Sequence, residues 1–204
     1  MKILLESQYF PPVQFFTKYL LASDIYIDPN RIFHKQSYRN RCRILGPHKE
    51  LDLIIPLKKG KNRIPHKDVS ISDDHKWRKE HIRALASAYG KAPFFEHYFP
   101  QVEELILSEE SNLFAFTQSC ISWMEKQLGL QLHSLLDNGT IPSDTKDFRD
   151  LIHPKTPQPD EHFAPRTYLQ CFDADGFSPN LSCLDLLFNE GPGSKQVLTD
   201  SCVR

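Results

Sequence analysis

The stretch DVSISDDHKWRKEHIRALASAYG, residues 68–90, contains the point at which the chain changes from one kind of secondary structure to another. Its first five residues alternate between polar and apolar side chains, which is typical of a strand. From Trp77 onward the apolar residues recur at helical spacing, and the pattern ends at Gly90, a residue type that commonly follows a helix. The stretch therefore predicts a strand followed by a helix.

Strand patterns lie mostly before this point and helical patterns mostly after it. The other predicted strands are residues 2–7, 24–28, 41–45, 51–57 and, late in the chain, 167–172. The other predicted helices are residues 13–22, 93–108 with an interruption at Pro100, 112–130 and a short one within 178–194. Residues 137–165 are polar and rich in proline and are predicted to form a surface loop. This segregation predicts an α+β fold, with an N-terminal mixed β-sheet packed against a mostly helical C-terminal half in a single domain, residues 1–204.

The composition is that of an ordinary soluble protein. Of the 204 residues 40% are hydrophobic and 25% are charged, and no apolar run approaches the ~20 residues of a membrane span. The first apolar run is too short for the core of a signal peptide. The five cysteines are an odd number and contain no C-x-x-C pair. These features predict a cytoplasmic protein with reduced thiols and no membrane span.

The cysteines and histidines do not predict a metal site. No Cys/His quartet has zinc-finger spacing. His75 and His81 are six residues apart in the helical pattern, which separates them by about 240° around a helix axis. The sequence identifies no cofactor.

Positive charge is concentrated in one part of the chain. Residues 31–67 carry eleven Lys or Arg against two acids, Glu50 and Asp52, although the net charge of the whole chain is −1. A local excess of this size favours an anionic partner such as phosphate, a nucleotide or nucleic acid. The alternative is a basic, solvated surface that acidic residues elsewhere balance in space.

Gln8 and Tyr9 are candidate site residues because they directly follow the first predicted strand. A glutamine amide at such a position could donate a hydrogen bond to a substrate carbonyl or to a developing oxyanion. The alternative is a strand-to-helix turn that is held by aromatic packing.

Lys35, Asn40 and Arg41 are candidates for contacts with an anion. In an extended segment Arg39, Arg41 and Arg43 would share one face. The planar guanidinium of Arg41 suits a phosphate group. A surface stripe of arginines is the alternative.

His81 is the candidate general base. It lies one turn from Trp77 on the apolar face of the predicted helix, so it is expected to be partly buried. An imidazole beside an indole could accept a proton near neutral pH. A histidine whose hydrogen bonds are satisfied within the core is the alternative.

The segment SPNLSCLDLLFNEGPGS, residues 178–194, predicts a short helix with polar residues at both ends. Ser182 and Asp185 have the spacing of a capping box, and Gly191 lies where a left-handed residue can end a helix. Three further polar residues crowd the ends of this helix: Asn180, Asn189 and Glu190. A carboxylate at a helix C-terminus is mildly unfavourable, which makes Glu190 a candidate for a functional role.

Four segments together resemble the WbqC-like family of bacterial proteins. The segment of residues 7–28, which begins SQYFPP, resembles that family's opening, and KQSYRNRCRI (35–44) resembles its Lys-x-x-aromatic-x-Asn-Arg segment. The segment 77–100 resembles its Trp-x-x-x-His helix with the Tyr-x-Lys-Ala-Pro-Phe-Phe run that follows, and LSCLDLLFNEGP (181–192) resembles its closing motif. At residues 29–32 this chain departs from the acidic pair and glutamine that are frequent in the family.

The resemblance implies a role in bacterial surface polysaccharide (O-antigen-like) biosynthesis. We therefore expect a group transferase that acts on a nucleotide- or lipid-linked sugar, with His81 as general base and with Gln8 and Asn180 orienting the substrate. The residues expected to bind an anionic substrate such as a nucleotide sugar are Tyr9, Lys35, Asn40, Arg41, Trp77, Asp185, Asn189 and Glu190.

Two alternatives to a transferase stay open. One is a nucleic-acid-binding protein that uses residues 31–67, although the strands within that segment and the pI of about 6.7 speak against it. The other is a non-catalytic partner in polysaccharide assembly.

Overall fold

The computed structural model describes residues 1–59, 63–73, 76–136, 140–172 and 176–204. The strands are β1 (Lys2–Leu5), β2 (Asp24–Ile27), β3 (Arg41–Leu45), β4 (Glu50–Ile54), β5 (Ser134–Leu135) and β6 (Thr145–Asp147). The α-helices are α1 (Val13–Thr17), α2 (Trp77–Tyr89), α3 (Phe95–Leu107), α4 (Leu113–Gln127), α5 (Cys183–Glu190) and α6 (Ser194–Ser201). Short 3₁₀ turns cover Lys18–Leu20, Tyr38–Asn40, His66–Asp68 and Gly191–Gly193. The α+β class is confirmed, with sheets in the N-terminal part and helices in the C-terminal half.

Four strands form a parallel sheet in the order β5-β2-β1-β6. β1 lies between β2 and β6, so that Ile3 is opposite Ile25 on one side and Lys146 on the other. Ile3 and Leu4 are both fully buried, as expected for a central parallel strand that is covered on both faces. Because all four strands run the same way, their carboxyl ends lie at one edge of the sheet.

Part of the segment expected to be a surface loop belongs to this sheet. β6 adds an edge strand beside β1, and Phe148 and Ile152, which follow it, are buried. Residues 137–139 of that segment lie outside the described residues. A three-residue strand of Thr, Lys and Asp has no apolar alternation, and its pairing is decided by the position of β1 rather than by its own sequence.

β3 and β4 form a separate antiparallel hairpin in which Arg43 is opposite Asp52. The strand predicted at residues 68–72 is not formed as a continuous strand. It makes only isolated bridges, of which Ser70 pairs with Asn112 and Ile71 with Leu57.

The predicted helices are formed, and Pro100, which was expected to interrupt one of them, lies inside α3 without breaking it. Two other segments differ from expectation. The tail, which has no strong sequence pattern, forms α6, and the late strand predicted at residues 167–172 is not formed.

α5 is the most deeply buried helix of the C-terminal half. Leu184, Leu187 and Phe188 are fully buried, and the helix packs against α1, α3, α6 and β3. Backbone hydrogen bonds fix its entry, since Ser182 N donates to Arg43 O at 2.7 Å. The residues around α5 therefore join the N-terminal strands to the C-terminal helices.

Candidate active site

Three polar segments follow parallel strands at the same edge of the sheet. β1 is followed by Glu6 and Gln8, β2 by Asp28, and β6 by Arg149 and Asp150. Ligands of open parallel sheets bind outside the carboxyl ends of the strands, where the residues that follow them meet. The topology therefore predicts a site at this edge.

Glu6 and Arg39 form a buried ion pair there. Arg39 Nε donates to Glu6 Oε2 at 2.6 Å, and Nη2 of the same guanidinium donates to the same oxygen. Burial raises the pKa of Glu6, while Arg39 lowers it, and the charges of Asp150 and Arg31 also act on this carboxyl. A buried ion pair is weak evidence for stability, because desolvation offsets much of the attraction.

Two further ion pairs join the strand ends. Arg149 Nη1 lies 2.8 Å from Asp28 Oδ2, and because β6 and β2 lie on opposite sides of β1, this pair crosses the end of β1. Arg31 Nη2 lies 2.6 Å from both carboxylate oxygens of Asp150. Acidic and basic side chains are thus paired at the strand ends.

The loop after β1 is held close to the residues that precede β3. Tyr9 N donates to Tyr38 O at 2.8 Å, and Glu6 binds Arg39, so Gln8 lies between two points at which the two segments are joined. Gln8 is only 1% exposed. The joined segments carry three of the predicted site residues, Gln8, Asn40 and Arg41, whose role in a site stays a prediction.

Unpaired polar atoms are concentrated around these segments. Within the described residues, eight buried side-chain atoms have no hydrogen-bond partner, and four of them are Gln8 Oε1, Arg31 Nε, Asn40 Oδ1 and Arg41 Nε. Asn40 uses only its amide nitrogen, which donates to Ile55 O at 2.9 Å. Buried polar groups in folded proteins are nearly always paired, so such a concentration indicates groups that a ligand could satisfy.

Arg41 is partly engaged within the protein. Its Nη1 donates to Asp52 Oδ2 at 2.9 Å, and Arg43 Nε donates to Asp52 Oδ1 at the same distance. Burial alone would raise the pKa of Asp52, but the two guanidiniums lower it below its usual value. The expectation that Arg39 shares a face with Arg41 and Arg43 is wrong, since Arg39 lies in a 3₁₀ turn and its side chain binds Glu6.

His153 lies beyond the end of β6. Its Nδ1 accepts hydrogen bonds from the backbone N–H groups of Lys155 and Thr156, each at 3.2 Å. Burial lowers the pKa of His153, and the charges of Arg41 and Arg39 lower it further. The ring is only partly buried.

We call the residues at this edge the strand-end cluster. Its members are Glu6, Gln8, Asp28, Arg31, Arg39, Asn40, Arg41, Arg149, Asp150 and His153. Three of them are residues predicted from the sequence: Gln8, Asn40 and Arg41. The position of Glu6 directly after a buried strand could have identified it. Arg149, Asp150 and His153 follow β6, which has no sequence pattern of its own, so the sequence gives no signal for them.

The predicted base, His81, lies in a group of aromatic side chains. It is 4% exposed, the Tyr9 hydroxyl lies 3.0 Å from its Nδ1, and its ring packs edge-on against Trp77 at 5.1 Å. Burial lowers the pKa of His81 to about 4, and a hydrogen bond with the backbone of Ile54 only partly opposes this. The structure thus brings His81, Tyr9 and Trp77 together, in contacts typical of a satisfied core histidine. The role of His81 as base stays a prediction.

The residues of the 178–194 segment lie around α5 and make internal contacts. Asn180 Oδ1 accepts from Gln14 N at 2.9 Å and so caps α1, whose own N-cap residue, Pro12, makes no side-chain cap. Ser182 caps α5 as predicted, its hydroxyl accepting from Leu184 N at 3.3 Å. These contacts give Asn180 a structural explanation that the local sequence does not reveal.

Asp185 does not act as the second half of a capping box. It is fully buried, and its Oδ1 accepts from the Tyr168 hydroxyl at 2.6 Å and from Gln170 Nε2 at 3.0 Å. Tyr168 and Gln170 therefore both point to α5, on the same side of a segment that forms no strand. Burial raises the pKa of Asp185, although its hydrogen-bond donors lower it.

The remaining predicted residues lie apart from the strand-end cluster or at the surface. Asn189 donates from Nδ2 to Asp185 O at 2.8 Å, and Glu190 is half-buried where α5 meets the following 3₁₀ turn. Lys35 is exposed between β2 and β3.

Two cavities lie outside the cluster. One of about 380 Å³ is lined by residues 45–50 of the β3–β4 turn together with Cys171, Phe172, Gly176 and Ser178. A second of about 370 Å³ lies beside the end of α2, shares Cys171 and Phe172 with the first, and is lined also by Lys91. Neither is lined by Gln8, Arg41 or His81.

The described residues contain no group of three or more His, Cys, Asp or Glu side chains that could hold a metal ion. In the same part of the chain, none of the helices combines the length and the apolar character that crossing a bilayer requires.

These observations define an α+β protein with a charged, largely buried cluster at the carboxyl edge of a parallel sheet. The chain belongs to the WbqC-like protein family, whose family model matches residues 6–154, more than half of its length. No curated protein and no solved structure gives a significant match. At the level of the family, membership indicates involvement in polysaccharide- or O-antigen-related biosynthesis. The matched residues begin at Glu6 and end just after His153, so they include the whole strand-end cluster but neither α5 nor α6.

Proposed function

We propose that the protein is a cytoplasmic group transferase that acts on a phosphate-bearing sugar precursor, with the strand-end cluster as its active site. The observation that carries the proposal is the concentration of buried, unpaired polar atoms on Gln8, Asn40, Arg31 and Arg41 at the carboxyl edge of the sheet. Family membership supports the substrate class, since nucleotide-linked and lipid-linked sugars commonly carry a diphosphate group.

The arginines of the cluster would bind the phosphate groups. Arg41 and Arg31 each have a buried Nε that is free of the ion pair made by the rest of the guanidinium. Charge-assisted hydrogen bonds from arginine to phosphate are among the stronger polar contacts, and their planar geometry fixes the orientation of the ligand.

Glu6 is better placed than His81, the base predicted from the sequence, to accept a proton from a substrate in this cluster. Its buried carboxyl has a raised pKa, which brings it closer to the range in which a carboxylate can accept a proton from a hydroxyl or amine. Both donors of Arg39 end on Oε2, so the pair leaves the other carboxylate oxygen, Oε1, for an acceptor substrate. Gln8, two residues further along, would orient that substrate.

Two arginine variants test the binding site. Arg41 and Arg43 bind the same carboxylate, Asp52, but only Arg41 has a buried, unpaired Nε. Arg41→Gln should weaken the binding of a nucleotide diphosphate sugar, measured by calorimetry over a panel of such compounds, by about 10- to 100-fold. Arg43→Gln, the matched control, should change affinity less than about threefold. Equal losses in the two variants would contradict the proposed site.

The reaction class has its own test. Glu6→Gln keeps the shape of the side chain and removes the proton acceptor, so turnover of a bound nucleotide sugar with a hydroxyl or amine acceptor should fall by about 100-fold or more while binding is retained. Thermal unfolding of the same variant reports the cost of leaving Arg39 without its carboxylate. If no nucleotide or lipid-linked sugar stabilises the wild-type protein, the alternative of a non-catalytic assembly partner is favoured.

Nucleic-acid binding stays an alternative, because only part of the basic segment 31–67 is neutralised within the protein. Of the five Lys or Arg residues in 31–43, four are arginines engaged in internal ion pairs, and Lys35 is exposed. Further along the segment the exposed cations that lie in no described ion pair are Lys49, Lys58, Lys59, Arg63 and Lys67. A titration with labelled DNA and RNA at low salt tests this alternative, and no binding there would remove it.

A further inference from the structure

We propose that His153 donates a hydrogen bond from Nε2 to a phosphoryl or carbonyl oxygen of the substrate. The inference rests on the proposed function, because it assigns a role within the same site. In this role His153 is an uncharged hydrogen-bond donor to an oxygen on which negative charge develops, beside the charged arginines.

The backbone fixes the tautomer of His153. Lys155 N and Thr156 N both donate to Nδ1 at 3.2 Å, and the Thr156 hydroxyl lies 3.0 Å from the same atom. A backbone N–H can only donate, so Nδ1 carries no proton. In the neutral ring the proton is then on Nε2, which becomes a hydrogen-bond donor. Turning the ring over would place a C–H group against both amides and lose these bonds.

The surroundings keep the ring neutral. Burial and the charges of Arg41 and Arg39 lower the pKa of His153, and the opposing effect of Asp150 is smaller. Nδ1 therefore stays unprotonated through the neutral pH range, and the ring adds no charge to a site that already contains several arginines.

The position of His153 links it to the proposed base. Arg39 and Asp150 act on both Glu6 and His153, so the two side chains share their charged neighbours. His153 is partly exposed, and its Nε2, which has no described partner, is not one of the buried unpaired atoms, so a ligand can reach it, whereas His81 is 4% exposed. A fixed donor aimed at an oxygen on which charge develops stabilises that charge without reorganisation. The proton stays on Nε2 throughout, and Glu6 takes the proton of the acceptor.

Nitrogen NMR tests the tautomer without any ligand. Long-range proton–nitrogen spectra of the full chain, with the signals of His153 identified by their loss in His153→Gln, should show an unprotonated Nδ1 and a protonated Nε2 from pH 6.5 to 8. A protonated Nδ1, or two protonated nitrogens, would overturn the inference whatever the fate of the proposed function.

Two substitutions test the donor. His153→Gln places an amide N–H near the position of Nε2, whereas His153→Asn places one near Nδ1. With inorganic pyrophosphate as the calorimetric probe, His153→Asn should bind about 10- to 100-fold more weakly than wild type, and His153→Gln should stay within about threefold. Thr156→Val, which removes only the hydroxyl contact, should bind as wild type does.

The outcomes separate the two proposals. If wild type binds pyrophosphate, Arg41→Gln loses binding and His153→Asn does not, the proposed site stands and the role of His153 is overturned. If wild type binds neither pyrophosphate nor a nucleotide sugar, the proposed function fails and the ligand assigned to His153 fails with it. Urea denaturation of each variant identifies any loss of binding that comes from unfolding.

Discussion

Gly191 ends α5 in a backbone conformation that other residues rarely adopt. Its φ is +51°, and a Cβ at this position would lie 2.5 Å from two ring atoms of Phe94. Gly191→Ala therefore combines backbone strain with a clash against a half-buried aromatic ring. We expect the free energy of unfolding, measured by urea denaturation, to fall by about 2–4 kcal/mol.

Gly129 provides the matched control for this prediction. Its φ is +59°, but the nearest atom to an added Cβ is the flexible Lys195 Nζ at 3.7 Å. Gly129→Ala should therefore cost only the backbone strain, about 1 kcal/mol. Equal losses in the two variants would show that Phe94 moves away without cost.

His81 makes the free energy of unfolding depend on pH, and its lowered pKa fixes the direction of that change. The pKa of His81 is about 4 in the folded protein against 6.5 for an ordinary histidine, so below pH 6.5 the unfolded chain binds the proton that the folded protein excludes. This contribution to stability is present above about pH 6.5 and is lost as the pH falls towards 4. Urea denaturation at pH 7.5, 6.5 and 5.5 should show that His81→Gln loses less stability on acidification, by about 1 kcal/mol per pH unit within that window.

A second buried histidine checks this interpretation. His66, whose burial lowers its pKa to about 3, should behave in the same way when replaced by Gln. Glu6 and Asp185 have raised pKa values and act in the opposite direction, but they contribute equally to wild type and to the histidine variants. A role of His81 as base predicts a different result, loss of turnover with an unchanged melting temperature.

At the level of elements, α1 is capped by a residue 166 positions away in the chain, Asn180. Asn180 has a φ of +57°, so it supplies both the capping oxygen and an unusual backbone conformation. Asn180 Nδ2 also donates to Gln14 Oε1 at 3.0 Å, so Asn180→Asp should keep the capping oxygen but lose this second bond. Asn180→Gly should lose both side-chain bonds but keep the conformation, and Asn180→Ala should lose all three features. The expected costs in free energy of unfolding are about 0.5–1, about 1–2 and about 2–3 kcal/mol.

The order of these three variants decides whether the cap matters. Urea midpoints measured at pH 7.5, where an introduced Asp is ionised, rank the three variants. If Asn180→Gly is as stable as wild type, the hydrogen bond to Gln14 N contributes nothing measurable, and the explanation of Asn180 by capping is wrong.

The elements that sequence patterns predicted are those with a local signal. β1, β2, α2, α4 and α5 have apolar periodicity, and Ser182 has the spacing of an N-cap. β6 has no such signal, because its place beside β1 depends on the rest of the sheet. Likewise residues 167–172 have the alternation of a strand, but a strand also needs a neighbour to pair with, which the local sequence does not specify.

Only the part of the candidate site that lies just after the first strand and within the basic segment 31–67 was predictable from the sequence. Gln8, Asn40 and Arg41 stand out as polar groups beside predicted strands. The partners of Arg39 and His153 come from distant parts of the chain, and a linear pattern does not specify which atoms meet. For the same reason the polar residues around α5 attracted a functional interpretation, although Asn180, Asp185 and Asn189 make internal hydrogen bonds.

At the level of the whole molecule, the strand-end cluster carries the proposed chemistry, and α5 and α6 complete the hydrophobic core. The family match includes every member of the cluster and ends at residue 154. The apolar side chains that complete the core come later in the chain: Leu184, Leu186, Leu187, Phe188 and Leu198, all fully buried. The residues that carry the proposed chemistry therefore depend on helices outside the matched part for a closed core.

This dependence predicts the behaviour of a chain that ends after Pro154. Burial of an aliphatic or aromatic side chain contributes roughly 2 kcal/mol, so losing these five removes on the order of 10 kcal/mol, as much as the whole stability of a typical domain. The shortened chain should show no cooperative thermal transition by circular dichroism and poorly dispersed amide signals by NMR. A chain that lacks only Arg204, an exposed residue, should unfold as the full chain does. Cooperative unfolding of the shortened chain would mean that residues 1–154 form a core of their own, and α5 and α6 would then be an addition to the domain.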